Sequence, residues 1–391
     1  MASIKLKGDT SGEVTIQAPA VAGTTTLNLP ATSSTLATQN ALGVRNLIIN
    51  GDMNIAQRGT SATGLTTTGY YTLDRWKFVP NAMGTWTMSQ DTDVPSGQGF
   101  SSSLKLQCTT ADASPAAADY LRIYQKIEAQ MLQHLKYGTS SAEKVTFSFW
   151  VKSNKTGTYT VRIYAEDNAR HIVNTYTIDT ADTWEKKTIT FNADTTGTIN
   201  NDNGSGFQCD WWFGTGSSYQ GGGAATDWES STGTKIADGL TVNLADSTSN
   251  YINITGVQLE VGDTATPFEH RPYDMELARC QRYLPAFNGM INAYLGVAGS
   301  TSNLIVAIPF QVPVRTPPTG VTISSAGHFR VWNVKSTANY ATAIAFSAGA
   351  TYTGRLSVSF TAGSPSTATG DAVFFHSNDT SAQILFTGCE L

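Results

Sequence analysis

The chain has 391 residues, 40% hydrophobic and 10% aromatic, which is too apolar for a disordered polymer and long enough for two or three domains of ~100–200 residues. Only 14% are charged and the formal net charge is −5 with no Lys/Arg run, which makes nucleic acid and anionic membrane poor partners. Cys108, Cys209, Cys280 and Cys389 lie far apart with no C-x-x-C pair, so free buried thiols are expected rather than structural zinc.

Residues 1–43 read as short β pieces between turns. Ile4 and Leu6 alternate with polar neighbours, as do Val14, Ile16 and Ala18, then Leu27 and Leu29. So few apolar residues make no core alone, and pairing with copies of the chain or with a neighbouring protein is expected. Met1-Ala2-Ser3-Ile4-Lys5 leads into no apolar stretch, so no secretory signal is read. The longest apolar run, around Leu304 to Phe310, is far short of the ~20 residues of a membrane helix, and membrane insertion is not expected.

Residues 44–272 carry the pattern of an antiparallel β-sandwich. Strands are predicted at 74–78, 85–90, 103–108, 120–127, 144–152, 157–165, 186–191, 206–213 and 251–261, with turn signals such as Pro95-Ser96-Gly97 and Asp202-Asn203-Gly204 between them. A helix is predicted from Glu128 to Tyr137, with Met131, Leu132 and Leu135 on one stripe and Gly138 ending it. In the last strand Ile252 and Ile254 alternate with polar residues, and Val257, Leu259 and Val261 continue in the opposite phase. Gly256 between them predicts a β-bulge. A connecting helix over 273–285 is expected to start with Asp274 as N-cap and Glu276 in its first turn. Strands resume over 286–391, predicted at 289–297, 304–310, 320–324, 329–334, 343–346, 355–360, 373–375 and 382–386. These are expected to form a second sandwich. The prolines of IPFQVPVRTPPTGVTI (308–323) hold that segment out of any central strand.

Catalytic signatures are weak. No G-x-S-x-G elbow accompanies the many serines, and no phosphate-binding glycine loop precedes a helix. The histidines His134, His171, His270, His328 and His376 have no partner at ligand spacing. The loop INNDNGSG (199–206) lacks most of the carboxylates of a calcium site. No catalytic residue, metal or cofactor is expected. Glycan cleavage would need two acids flanking a groove, for which Glu166, Asp167, Asp210, Asp227 and Glu229 are the acids at hand.

Binding candidates are clearer. In FQCDWWFGTGSSYQGGGAATDW (207–228), Phe207, Cys209, Trp211 and Phe213 share one strand face, while Asp210 and Trp212 share the other. Tyr219, Asp227 and Trp228 flank a glycine-rich loop. Flat rings stack on sugar faces and neighbouring polar side chains bond hydroxyls, so Trp212, Tyr219, Trp228, Asp210 and Asp227 are glycan-binding candidates. The alternative is that these aromatics are all packing residues. In the last domain Trp332 and Tyr340 are added as candidates, with Tyr294, Phe329 and His376 as further tip aromatics.

Several segments resemble one family. GVQLEVGDTATPFEHRPYDMELARCQRY, the run NLIINGDMNIAQRGT (46–60), Asp74-Arg75-Trp76 and Phe147-Ser148-Phe149-Trp150-Val151-Lys152-Ser153 resemble, in order and spacing over about 45–283, the jelly-roll module of bacteriophage tail-fibre and related virion proteins. The run SGEVTIQAPAVAGTTTLNLPATSSTLAT is similar to the leader that precedes fibre domains, and 308–323 to the start of the domain that follows the jelly roll. The resemblance implies an all-β homotrimeric fibre in the virion tail, assembled in the host cytoplasm. It implies attachment to other tail or baseplate proteins through residues 1–43 and non-covalent contact with a host-surface glycan. A purely architectural fibre or connector, or a glycan depolymerase, are the alternatives.

Overall fold

A computed structural model describes residues 3–7, 11–17, 45–289, 293–333, 338–363 and 367–391. The chain forms two compact units, Met1–Leu42 and Gly43–Leu391. In the first, β1 (Ser3–Lys7) and β2 (Glu13–Gln17) pair antiparallel, opposing Ile4 to Ile16 and Leu6 to Val14 as their alternation predicts. A two-stranded hairpin is marginal alone in water. The expected strand around Leu27 and Leu29 lies outside the described residues.

The second unit starts with twelve strands: β3 (Ser61–Leu65), β4 (Lys77–Asn81), β5 (Thr85–Asp91), β6 (Ser103–Thr110), β7 (Tyr120–Glu128), β8 (Val145–Ser153), β9 (Gly157–Ala165), β10 (Arg170–Ile178), β11 (Glu185–Phe191), β12 (Ser205–Thr215), β13 (Glu229–Ser230) and β14 (Tyr251–Val261). They make two six-stranded antiparallel sheets, ordered β13-β10-β9-β12-β7-β4 and β11-β8-β14-β6-β5-β3. Phe207, Cys209, Trp211 and Phe213 of the first sheet face Val145, Phe147, Phe149, Ile252, Ile254, Val257 and Leu259 of the second in one core. Trp211 is its centre, with ring centroids 5.4 Å from Trp76, 5.2 Å from Phe147 and 5.9 Å from Phe149, a tilted and edge-on geometry that adds to area burial. The architecture is a β-sandwich of jelly-roll type.

Local chemistry explains the agreements and the departures. Gly256 sits at φ +61 where β14 slips register between Thr255 and Gln258, and a Cβ there would lie 2.5 Å from the Phe100 ring. The bulge reverses the phase, so Ile252, Ile254, Val257 and Leu259 all reach the core. β3, β10 and β13 are strands that periodicity missed. In β10 both Ile172 and Val173 are buried, one on each face, which breaks the alternation that marks a half-buried strand. The helix expected over 128–137 is a 3₁₀ turn, Ala129–Leu135, burying Leu132 and Leu135. It ends on Lys136 at φ 55, two residues ahead of the predicted stop at Gly138. The connecting helix α1 (Tyr273–Gln281) has Pro272, not Asp274, at its N-cap, and no side chain caps it.

The last third contains β15 (Ala286–Asn288), β16 (Tyr294–Ser300), β17 (Asn303–Pro309), β18 (Gly320–Ile323), β19 (Phe329–Trp332), β20 (Asn339–Ala350), β21 (Thr353–Phe360), β22 (Ala372–Ser377) and β23 (Gln383–Thr387). Where the sequence suggested a second sandwich, six of these close into a barrel, β16-β17-β21-β20-β19-β22, beside a three-stranded sheet, β15-β23-β18. Closure pairs β16 with β22 and so removes both edges. Leu304, Val306, Leu356, Val358, Phe329, Val331, Val373 and Phe375 fill the interior. All four cysteines are buried free thiols. Among the described residues no helix is long and apolar enough to cross a membrane.

Of the segments that carry the family resemblance, 147–153 is strand β8, while 46–60, 74–76 and 256–283 bond to one another at the end of the sandwich. Asn46 Oδ1 accepts the Ile48 and Leu259 amides at 3.0 Å, and Asn50 bridges Ile55 to the Asp74 carbonyl. Arg271 donates to the Ile48 carbonyl at 3.1 Å and to Glu276 at 3.0 Å, while Glu276 also accepts the Asn50 amide. Arg75, buried and at φ 73, lies 3.4 Å over the Tyr283 ring and donates to Glu390 at 2.9 Å. Glu128, also buried, accepts from Arg282 Nε at 2.7 Å and Tyr283 Oη at 2.5 Å. These residues hold architecture.

Candidate functional site

The alternation that sends Trp211 into the core sends Gln208, Asp210 and Trp212 of β12 to the outer face of their sheet. The flanking strands add Tyr120, Arg122, Tyr124 and Lys126 from β7 and Arg162 and Tyr164 from β9. Asp210 is opposite Tyr124 on one side and Arg162 on the other, and Trp212 is opposite Arg122. Two copies of the tripeptide Arg-Ile-Tyr (122–124 and 162–164) on the strands either side of β12 thus each turn an Arg and a Tyr onto one face.

Asp210 is the hub. Its carboxylate has no exposure and accepts from Arg122 Nη1 at 2.5 Å, Arg162 Nε at 2.7 Å and Nη2 at 2.6 Å, and Gln208 Nε2 at 3.0 Å. Burial pulls the Arg162 guanidinium below its ordinary value, and the ion pair with Asp210 opposes this. Arg122 lies 4.9 Å over Trp212, 5.1 Å over Tyr124 and 5.6 Å over Tyr120; Arg162 lies 4.9 Å over Tyr164. Lys77 and Lys126 approach Tyr124 from the far end, and Lys126 pairs with Glu166 at 2.7 Å. Burial and then the neighbouring Lys126 lower Lys77, and burial pushes Tyr124 up to about 12. The floor is therefore a ladder of cations stacked on rings, locked by one carboxylate.

The connection over 216–242 folds back across the β9–β10 side. Val173 N–H donates to the Ala225 carbonyl at 2.7 Å, Ala237 N–H to the Tyr219 carbonyl at 3.0 Å, and Thr241 N–H to the Thr158 carbonyl at 2.9 Å. It brings Tyr219 to 5.8 Å from Trp212 and 5.2 Å from Tyr120, edge-on. Trp212 is 2% exposed and its indole N–H has no acceptor, so it acts as a flat support under the guanidiniums rather than as a donor. Tyr120, Arg122, Tyr164 and Tyr219 are half-buried and form the accessible rim.

Asp210, Trp212 and Tyr219 are thus brought together, and the rest of the candidates lie elsewhere. Trp228 is buried, stacked on Phe207 at 5.9 Å and edge-on to Tyr137 at 5.5 Å, with its N–H donating to the Asn192 carbonyl at 2.6 Å. Asp227 is exposed and accepts the Trp228 amide at 2.9 Å. Trp332 stacks on Phe374 at 4.9 Å on the outside of the barrel, and exposed Tyr340 accepts from Arg330 at 2.8 Å across from β19. Arg122, Arg162, Tyr120, Tyr124 and Tyr164 went unread in the sequence, although the repeated Arg-Ile-Tyr within strand-like alternation was the available signal.

As an arrangement, the face offers fixed cationic donors and ring edges. Asp210 is consumed by two guanidiniums and is unsuited to proton transfer. The other acids are engaged apart: Asp167 accepts from Asn200 at 2.8 and 3.0 Å, and Glu229 pairs with Lys235 at 2.9 Å beside buried His171, which burial and then Arg162 lower to about 4. The 199–206 loop ties the sandwich to the connection between β17 and β18, Asn203 Nδ2 donating to the Arg315 carbonyl at 2.7 Å and Arg315 Nη1 to the Asn203 carbonyl at 3.1 Å. Among the described residues no group of three or more His, Cys, Asp or Glu is placed to hold a metal.

No protein-family model and no curated protein matches the chain. Among solved structures it is similar to the enzymatically active domain of bacteriophage CBA120 tailspike protein 4, at 12% identity and TM-score 0.29 over 55% of this chain, and it spans only 21% of the tailspike chain. It is also similar to the family 11 carbohydrate-binding module of Clostridium thermocellum in complex with a β-1,3-1,4-mixed-linked tetrasaccharide (11% identity, TM-score 0.25, 53% of this chain and 98% of that one). The CBM22-1-CBM22-2 tandem of Paenibacillus barcinonensis Xyn10C gives 9% identity and TM-score 0.24 over 84% of this chain and 96% of that one. Likenesses this slight carry no argument about function.

Proposed function

We propose that the chain is a structural protein of a bacteriophage tail that attaches to the host surface by non-covalent glycan binding. The observation that carries the binding is the face over Asp210. Guanidiniums clamped by a buried carboxylate present donors at fixed positions, and Tyr120, Tyr164 and Tyr219 add ring surface at the rim. A sugar needs this combination, hydrogen bonds to hydroxyls and a flat apolar surface for the ring, and preorganised donors spare the ordering entropy of binding. The virion role rests on the resemblance of the 46–60, 74–76, 147–153 and 256–283 segments to tail-fibre modules. Residues 1–43 attach to other tail or baseplate proteins in this reading.

Single sugar sites are weak, and a homotrimer would supply avidity through effective concentration. Supporting it, the barrel exterior carries exposed Leu295 and Val297, with Leu295 opposite Phe374, Phe374 opposite Trp332 and Val297 opposite Ile305, an apolar strip across four strands. Light scattering on the purified chain checks the trimer.

Glycan binding is tested with purified full-length chain on immobilised host polysaccharide. Arg122→Ala and Tyr219→Ala, at half-buried rim positions, should each weaken binding at least tenfold with an unchanged circular dichroism spectrum. Unchanged binding and host adsorption in both would overturn the reading and leave a purely architectural fibre. Release of reducing ends during incubation would make the chain a depolymerase instead.

A further inference from the structure

A second concave site lies on the opposite sheet. The outward residues of β8 include Ser148 and Trp150, and Trp150 is flanked in register by Lys186 of β11 and Thr255 of β14. Beyond the bulge, where Gly256 leaves room for the Phe100 ring, the exit segment from Gly262 to Pro272 turns back over the sheet. Phe100, Phe268 and His270 form a wall of three rings, with centroids 5.1 Å, 5.2 Å and 4.9 Å apart. Wall and sheet enclose a groove of about 470 Å³ with Trp150 and Ser148 in its lining and Lys186 and His270 beside them. That size is within the range of small-ligand sites, ~300–1,000 Å³.

The charge of the lining selects the ligand. Lys186 is exposed and has no ion pair among the described residues, and no carboxylate lines the groove. Of the acids near the lining in sequence, Glu185 pairs with Lys187 at 2.5 Å, Asp263 accepts from the Thr264 hydroxyl at 3.1 Å, and Glu260 and Glu269 are turned to other work. Glu260 accepts from the Thr266 amide at 2.8 Å, Thr266 Oγ1 at 2.6 Å and Gln258 Nε2 at 2.8 Å. Glu269 accepts from the Asn46 amide at 2.8 Å and from Arg271 at 3.3 Å. An aromatic groove with an unneutralised ammonium on its rim favours a ring that carries an anion. A neutral ring leaves the cation unused, and a purely apolar ligand leaves Ser148, Gln98 and Lys186 unmatched.

We propose that this groove binds a carboxylate-bearing sugar residue, a uronic or sialic acid, with its ring against Trp150 and its carboxylate toward Lys186. The groove shares no residue with the Asp210 face, so the two sites stand or fall separately. Saturation-transfer NMR and calorimetry on the full chain would use three probes: a glucuronate-terminated trisaccharide, sialyllactose, and the carboxyl-reduced form of the glucuronate probe. At least one acidic probe should bind five- to tenfold more tightly than the reduced one, and whichever binds names the acid. Lys186→Gln, a surface change that spares folding, should erase that preference. Trp150→Ala should abolish binding, and Arg122→Ala on the other sheet should leave it intact. Equal affinity for acidic and reduced probes, an unaltered preference in Lys186→Gln, no binding by either acid, or loss in Arg122→Ala alone would each overturn the proposal.

Discussion

Asp210→Asn keeps the shape of the outer face and removes the charge that Arg122 and Arg162 share. The side chains of Asp210, Arg162 and Arg122 are 0%, 6% and 16% exposed, so the two guanidiniums would confront each other with little water between them. Removing one partner from a buried ion cluster costs about 3–5 kcal/mol, because the remaining charges keep their desolvation penalty and lose its compensation. Arg122 retains a route to solvent, which places the expectation at the lower end, about 3 kcal/mol. Replacing all three by apolar residues of similar size, Asp210→Leu with Arg122→Met and Arg162→Met, removes the penalty together with the attraction and should recover most of that loss. Guanidinium denaturation followed by tryptophan fluorescence reads both, since Trp211 is the centre of the same sandwich. A single variant within 1 kcal/mol of the parent, or a triple variant no better than the single one, would refute Asp210 as the lock of the site.

Gly256→Ala should destabilise by about 1–3 kcal/mol, since φ +61 strains any Cβ and the new methyl meets Phe100; adding Phe100→Ala should make the pair cost less than the sum, as a double-mutant cycle will show. Glu128→Gln should cost about 2–3 kcal/mol and speed proteolysis between sandwich and barrel, because a buried carboxylate that accepts from Arg282 and Tyr283 becomes a neutral amide. Burial would raise the Glu128 carboxyl, but those hydrogen bonds hold it below the usual range; its contribution is therefore present above the unfolded carboxyl value and lost as pH falls through the folded one. His171 works in a higher window. Its folded value, about 4, is below the ordinary 6.5, so between these the unfolded chain binds the extra proton and stability should fall as pH drops from 6.5 to 4; His171→Phe should flatten that slope in denaturant midpoints measured across the window.

Alternation alone determined much of this protein. It placed Phe207, Cys209, Trp211 and Phe213 inward with Asp210 and Trp212 outward, and it located the phase change at Gly256, because a strand's side chains must point to opposite faces whatever surrounds it. What period two leaves undecided is what lies over an outward residue. Trp228 and Tyr219 sit in the same glycine-rich stretch, yet Trp228 fills a hole beside Phe207 and Tyr137 while Tyr219 stays at the rim of the outer face. The barrel is of the same kind: its strands were legible one by one, but closure depends on β16 meeting β22, a pairing between distant segments that no local pattern records. The Asp210 cluster shows the limit most clearly. Arg122 and Arg162 are ordinary outward residues on their own strands, and only the order β9-β12-β7 sets both guanidiniums against one carboxylate, where burial turns three surface charges into a single fixed unit.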